Sequence, residues 1–307
     1  IIIEGDEYDT AFFDKGPKLM HFHPAITVLT SVEFDHADIF RDLEHVQAIF
    51  SRFLKQLKPS SLLLAFDADE NIRRIISSAN CRIEFYGSDV ESKWRLGDIQ
   101  IDAPWSIFEV LRFGQPYGCF KTRLVGRHNL FNALAVIAIA DDLGLSTAEI
   151  GAALETFEGV KRRQQIRGHK NQITVMDDFA HHPTAVRETV AAVKSFHAPR
   201  RLIAVFEPRT NSSMRDIFQD VYPLAFEHAD LICIRHPPLL EKIPVAERFS
   251  SQKLVADLKQ RGKDAHFFAD TESIIEFLVR HAVPGDLILV MSNGGFDNIH
   301  QKLLDRL

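Results

Sequence analysis

Asp177, Asp178, His181 and His182 crowd into DDFAHHP, residues 177–183, the densest group of titratable side chains in the sequence. An acid beside an imidazole can pass a proton to or from an attacking amine or a transferred phosphate. Alternatively, Asp178 forms a turn and the histidines lie on the surface. FEPRT brings Arg209, a cationic fork suited to a carboxylate or phosphate, although an ordinary surface arginine fits the same letters. SNGGF, residues 292–296, could bring backbone amides to an anion, but a glycine turn alone is a weak signal.

Two acidic clusters stand near the start: Glu4, Asp6, Glu7 and Asp9, then Glu33, Asp35, His36 and Asp38. Each follows a strand-like run. If those strands are neighbours, Glu4 and His36 converge as an oxygen and an imidazole ligand for a divalent cation. Otherwise the acids cap helices and stay in solvent. In VGRHNLFNALA, His128 and Asn129 open a helix and Asn132 lies one turn on, so the two amides share a face. An amide can read a base edge with one donor and one acceptor. For Asn129 a helix cap is the simpler reading; Asn132, within an apolar helix, is harder to explain that way. GxSxG, GxGxxG and a Cys beside a His are all absent, which disfavours a side-chain nucleophile and a dinucleotide fingerprint.

The elements that must position these residues follow from periodicity. Leu43, Val46, Ile49, Phe50, Phe53, Leu54 and Leu57 mark one face of a helix over 42–57. It lies between the strand-like AITVLTSVEF and SLLLAF, so residues 1 to about 66 read as strand, strand, helix, strand, the rhythm of a parallel sheet. RIEFYG, WSIFEVLRF and YGCFKTRLV, within 82–125, suggest a small antiparallel excursion. Two helices follow, the second opened by Ser146 with Glu149 as a capping box. After GVKRRQQIRG the alternation restarts from QITVMDDF to the end, a second, Rossmann-like doubly wound unit whose ligands belong beyond the strand carboxyl ends. The expected domains are 1–163 and 164–307.

A composition of 46% hydrophobic and 25% charged residues fits folded globular protein, and a formal charge of -6 with no basic block argues against nucleic acid as a partner. Cys81, Cys119 and Cys233 are far apart and fit reduced thiols in the cytoplasm. The apolar LFNALAVIAIA falls short of the ~20 residues that cross a bilayer, so no membrane role is expected. Ile1 to Ile3 read as an interior strand, and the expectation is that the sequence starts within a longer protein.

EGDEYDTAFFDK, VEFDHADIF, GRHNLFNALA, RRQQIRG, DDFAHHPTA, EPRTNSSMR and MSNGGFDNIHQKLL, taken in order, resemble the Mur ligases, the ATP-dependent amide-forming enzymes of bacterial cell-wall precursors. AFFDK, EFDHADIF, FEPRTNS and MSNGGFDNIHQKLL look most like the peptidoglycan-recycling branch, which joins the tripeptide L-Ala-γ-D-Glu-meso-diaminopimelate to UDP-N-acetylmuramate. The resemblance implies the later part of the central ATPase domain, a mostly parallel sheet with an antiparallel part, followed by the complete carboxyl-terminal domain. No GxxxxGK[ST] occurs, so the resemblance places the P-loop upstream, in an amino-terminal part of the same protein, and implies that these residues alone are inactive.

By the same resemblance, Glu4 and His36 match magnesium ligands, and His128, Asn129 and Asn132 match the helix start that contacts adenine. Arg163 matches the residue that reaches the γ-phosphate of ATP better than Arg162 does. Asp178 matches a strand-end carboxylate, and His181 and Arg209 fall where the alanine-adding relative holds its amino acid. The helix after the histidine motif has only Lys55, so a second metal ligand from a carboxylated lysine is not expected; Gln164 and Gln165 also depart from the family pattern. The alternatives are UDP-N-acetylmuramate:L-alanine ligase, a metal-dependent phosphohydrolase and a non-catalytic nucleotide-binding module.

Overall fold

The computed structural model describes residues 1–5, 7 and 16–307. The chain divides into two compact units, Ile1–Arg123 with His128–Phe157, and Leu124–Arg127 with Glu158–Leu307. Asp6, Asp9 and the AFFDK motif lie outside the described residues.

The first unit runs β1 (Ile26–Leu29), α1 (Leu43–Gln56), β2 (Leu62–Phe66), α2 (Glu70–Ile75), β3 (Arg82–Gly87), β4 (Trp94–Asp102), β5 (Trp105–Arg112), β6 (Gln115–Thr122), α3 (Arg127–Asp142) and α4 (Thr147–Thr156). Its strands lie side by side in chain order. β1 to β4 pair in parallel, with Ile26 opposite Leu62, while β4, β5 and β6 pair antiparallel. RIEFYG, grouped by sequence with the antiparallel strands, therefore belongs to the parallel part. Strand side chains alternate between faces: Leu62 and Leu64 pack with α3 and α4, whereas Leu63 and Ala65 pack with α1 and α2. Apolar residues at every position of β2 are what a strand covered on both faces requires. Asp42 caps α1 through the His45 amide, and the Ser146 and Glu149 capping box forms at α4.

The expected strand at Ile1 to Ile3 does not form. These residues are exposed, and β1 is the first strand among the described residues. A β-branched run cannot hold strand geometry without a neighbour to hydrogen-bond.

The second unit runs β7 (Gln165–Lys170), β8 (Ile173–Asp178), α5 (Pro183–Phe196), β9 (Leu202–Phe206), α6 (Tyr222–Ala225), β10 (Leu231–Arg235), α7 (Ser251–Gln260), β11 (Ala265–Phe268), α8 (Thr271–His281), β12 (Leu287–Met291) and α9 (Ile299–Arg306). The sheet order is β11-β10-β9-β12-β8-β7, parallel except for the edge strand β7. Leu202, Ala204 and Phe206 meet α5, α6 and α7, while Ile203 and Val205 meet α8 and α9. β8, β9 and β12 thus end together, carrying Asp178, Glu207 and Ser292 to one edge. No helix among the described residues is long and apolar enough to cross a membrane.

Candidate functional site

In the first unit the loop after β1 is fixed at Val32. Its N–H donates to Asp69 Oδ2 at 2.8 Å and its carbonyl accepts from Asn71 at 2.7 Å, both side chains belonging to the start of α2. Beyond that anchor His36 adopts a left-handed φ of 54°, with its carbonyl accepting the amides of Ile39 and Phe40. Buried Phe40 secures the turn. The imidazole points to Glu7, with Nε2 2.9 Å from Oε1. Burial lowers the His36 pKa, but the hydrogen bond to Glu7 and the charges of Asp35, Glu7 and Asp38 outweigh it and raise the value above the ordinary range.

Glu7, not the exposed Glu4, is therefore the carboxylate paired with His36 in this structure. Sequence reading named Glu7 within its cluster but chose Glu4, because the reach of each acid depends on the path of the chain. No group of three or more His, Cys, Asp or Glu that could hold a metal ion occurs among the described residues. A carboxylate and an imidazole side by side still fit magnesium, which keeps much of its water shell and needs few protein ligands.

α3 owes its position to Leu130, Ala133, Leu134, Ala135, Ile137 and Ala138, all buried. Phe131 packs on Phe66 at the end of β2, ring centroids 4.9 Å apart. His128 and Asn129 are half-buried at the first turn, and Asn132 lies on the exposed side of this otherwise apolar helix. A polar amide so placed contributes little to packing and is available to a ligand.

In the second unit the basic segment and the DDFAHHP loop are laced together. Arg162 and Gln164 have left-handed φ values of 60° and 49°. That turn is held on three sides: Phe179 N–H donates to the Arg162 carbonyl at 2.8 Å, Gln164 N–H donates to Asp178 Oδ2 at 2.8 Å, and Arg162 donates to the carbonyls of Ser292 and Gly294 at 2.6 Å. The two arginines therefore differ. Both guanidinium groups lie 5.0 Å from the Phe179 ring centroid, but Arg162 also donates to backbone carbonyls, while Arg163 is exposed.

Asp177 and Asp178, adjacent and both buried, also differ. For Asp177, burial raises the pKa, but the His300 imidazole 3.3 Å away, then Arg162 and Arg167, outweigh it and hold the carboxyl below the usual range. For Asp178, burial dominates and raises the pKa, although the Ala180 and Gln164 amides and the charge of Arg163 pull the other way. With one oxygen on Gln164 N–H and the other on Ala180 N–H at 2.7 Å, Asp178 holds the turn that carries Arg163.

The histidines take opposite tautomers. His181 Nδ1 donates to the Phe179 carbonyl at 3.0 Å, which fixes its proton there and makes Nε2 the acceptor of the neutral ring. His182 Nδ1 instead accepts the Thr184 amide and caps α5, with Pro183 at its start. At the next strand end Arg209 lies 3.7 Å from Glu207, a fully buried acid that sequence reading passed over. Its signal was visible: a charged residue directly after the apolar run LIAVF. The SNGG amide also has an internal partner, since Gly294 N–H donates to Ser292 Oγ at 2.9 Å.

Residues 7–140 match the Mur ligase middle domain, and residues 162–294 match the Mur ligase, glutamate ligase domain. The chain belongs to the Mur ligase family. Over its full length it is 38% identical to the UDP-N-acetylmuramate--L-alanyl-gamma-D-glutamyl-meso-2,6-diaminoheptandioate ligase of Escherichia coli strain K12, covering 64% of that protein. It is 30% identical to the UDP-N-acetylmuramate--L-alanine ligase of Acetivibrio thermocellus, with 99% of this chain and 63% of that one aligned. Among solved structures, the murein peptide ligase of Psychrobacter arcticus 273-4 superposes with a TM-score of 0.68 at 32% identity, over 99% of this chain and 62% of that one. The chain thus spans less than two thirds of the length of these relatives.

Proposed function

We propose that this chain is part of an ATP-dependent ligase that joins L-Ala-γ-D-Glu-meso-diaminopimelate to UDP-N-acetylmuramate in peptidoglycan recycling, within the cytoplasm. The observation that carries the reading is the pair of outward arginines, Arg163 and Arg209, each braced by a buried acid at the carboxyl edge of the second sheet. Cations braced in this way suit a phosphoryl group and a peptide carboxylate.

In the proposed reaction the muramoyl carboxylate attacks the γ-phosphoryl group of ATP and ADP leaves. The α-amine of the tripeptide then attacks the acyl phosphate, and the tetrahedral intermediate collapses with loss of phosphate. Arg163 meets charge on the phosphoryl oxygens, while Asp178 keeps its turn in place. His181, its Nδ1 tied to the Phe179 carbonyl, stands by the incoming amine, and Arg209 takes a carboxylate of the peptide. In the first unit, His128, Asn129 and Asn132 meet adenine. Magnesium, when bound by Glu4 or Glu7 with His36, supplies charge neutralisation at the phosphates. The domain assignment of 1–163 and 164–307 remains part of the proposal; Arg162 and Arg163 group with the second unit, which resumes at Glu158.

The test is ADP release by the full-length protein. Release should require both UDP-N-acetylmuramate and the tripeptide, with L-alanine a poor competitor. Preferential use of L-alanine would convert the reading to the alanine-adding ligase. Phosphate release from an ester without ATP would make it a phosphohydrolase, and ATP binding without amide formation a binding module.

A further inference from the structure

Glu207 follows β9 with none of its surface exposed. A carboxylate so buried costs several kcal/mol unless it is paired and hydrogen-bonded. Arg235, at the end of β10, pairs with its Oε2, and Ser292 Oγ donates to its Oε1 at 2.7 Å. Arg235 is paired again, with Asp297 Oδ2 at 2.7 Å, and the same oxygen accepts from Thr271 at 2.7 Å. Glu207, Arg235 and Asp297 therefore form a ladder of alternating charge across the sheet edge. Its interior members have little surface left for a ligand.

Arg209 is the open cationic end of that ladder, and exposed Asp297 is its anionic end. Arg209 Nη1 lies 3.7 Å from Glu207 Oε1, beyond hydrogen-bonding distance, and about a third of the arginine side chain is exposed, at 33%. Glu207 thus attracts the guanidinium without consuming its donors. A second constraint comes from the loop after β12. A Cβ on Gly294 would overlap Arg209 Cδ and Nε and approach Cζ to 2.9 Å, so the arginine lies where only glycine leaves room. The φ of Gly294 is not among the left-handed ones, so close approach rather than backbone freedom accounts for this glycine.

We propose that Glu207 and Gly294 are positioning residues that hold the Arg209 guanidinium with its outer edge turned to a ligand carboxylate. The proposal rests on the reading of Arg209 as a peptide-carboxylate residue and adds what fixes it there. Glu207 supplies the charge behind the fork, and Gly294 supplies the space beside it.

The test is made on full-length protein labelled with ¹⁵N at arginine, following the Arg209 Nε–Hε resonance, identified by its loss in Arg209→Lys. In Glu207→Gln and in Gly294→Ala this resonance should move toward that of solvent-exposed arginines. The tripeptide KM should rise about tenfold, the size of one charge-assisted hydrogen bond, with the ATP KM unchanged. Glu207→Asp should recover part of the loss. Gly294→Ala added to Arg209→Ala should cost nothing further, since both act on one side chain. An unmoved resonance in both variants, or losses that multiply in the double variant, would overturn the proposal. Should the resonance move while Arg209→Ala leaves tripeptide use intact, the positioning role stands and the peptide-carboxylate reading falls.

Discussion

Around Glu207 in the second unit a buried acid touches an arginine and a serine from two other strand ends, whereas around Asn132 in the first unit an amide stands in solvent on a helix buried along its other sides. One region holds its functional groups through interlocking charge; the other displays them on a scaffold already complete without them. Substitutions should therefore damage fold and function together in the first case and separately in the second. Arg163 is the informative exception, because it is exposed although the turn beneath it is tightly tied.

The largest effect is expected at Glu207. Glu207→Ala leaves the buried side of Arg235 without its carboxylate and should cost about 3–5 kcal/mol in denaturant unfolding of the second unit. A cost below about 1 kcal/mol would dissolve the contrast between the regions. Arg163→Ala should lower kcat about 10²–10³-fold, the scale of one donor at developing charge, while stability changes by no more than the ~0.5–1 kcal/mol of an exposed cation–π contact. If Arg162→Ala were the activity-specific variant instead, the division of labour read from their contacts would be reversed. Asn132→Ala should weaken ATP binding about tenfold, measured by calorimetry, and leave stability within about 0.5 kcal/mol.

The smallest effect concerns pH. The lowered pKa of Asp177 means that its stabilisation is present above its unfolded value of 3.8 and is lost as pH falls through the folded value. Asp178, raised by burial, has the opposite sign: its contribution is present below 3.8 and fades as pH rises through its folded value. Asp177→Asn should therefore flatten the acid limb of the stability curve, and Asp178→Asn should not. The same response from both variants would show that the neighbours share one environment.

How much of this was legible in the sequence depended on whether the signal was local. The face of α1, the Ser146 cap, the Pro183 start of α5 and the doubly wound rhythm after residue 170 all repeat within a few residues. β7 falls largely in GVKRRQQIRG, before the point where sequence restarts the alternation, because it is an edge strand with Ile166 as its only large apolar residue, itself exposed. Ile1 to Ile3 misled because strand propensity says nothing about an available neighbour. The motifs named the candidate residues, including Arg163 ahead of Arg162. Glu7's partnership with His36 and the ladder through Glu207, Arg235 and Asp297 depend on chain crossings that no local pattern encodes.

Arg162 binds carbonyls at Ser292 and Gly294, 130 and 132 positions further along the chain. A nascent polypeptide leaving the ribosome can tie its 162–164 bend to Asp178 and Phe179 early, but the Arg162 side chain has no carbonyls to bind at 292 and 294 until almost all of this unit has been translated, because so long a loop must close first. Locking of the Arg162 guanidinium becomes one of the last events of biosynthesis, and a product truncated before residue 292 would carry this bend without its side-chain anchor.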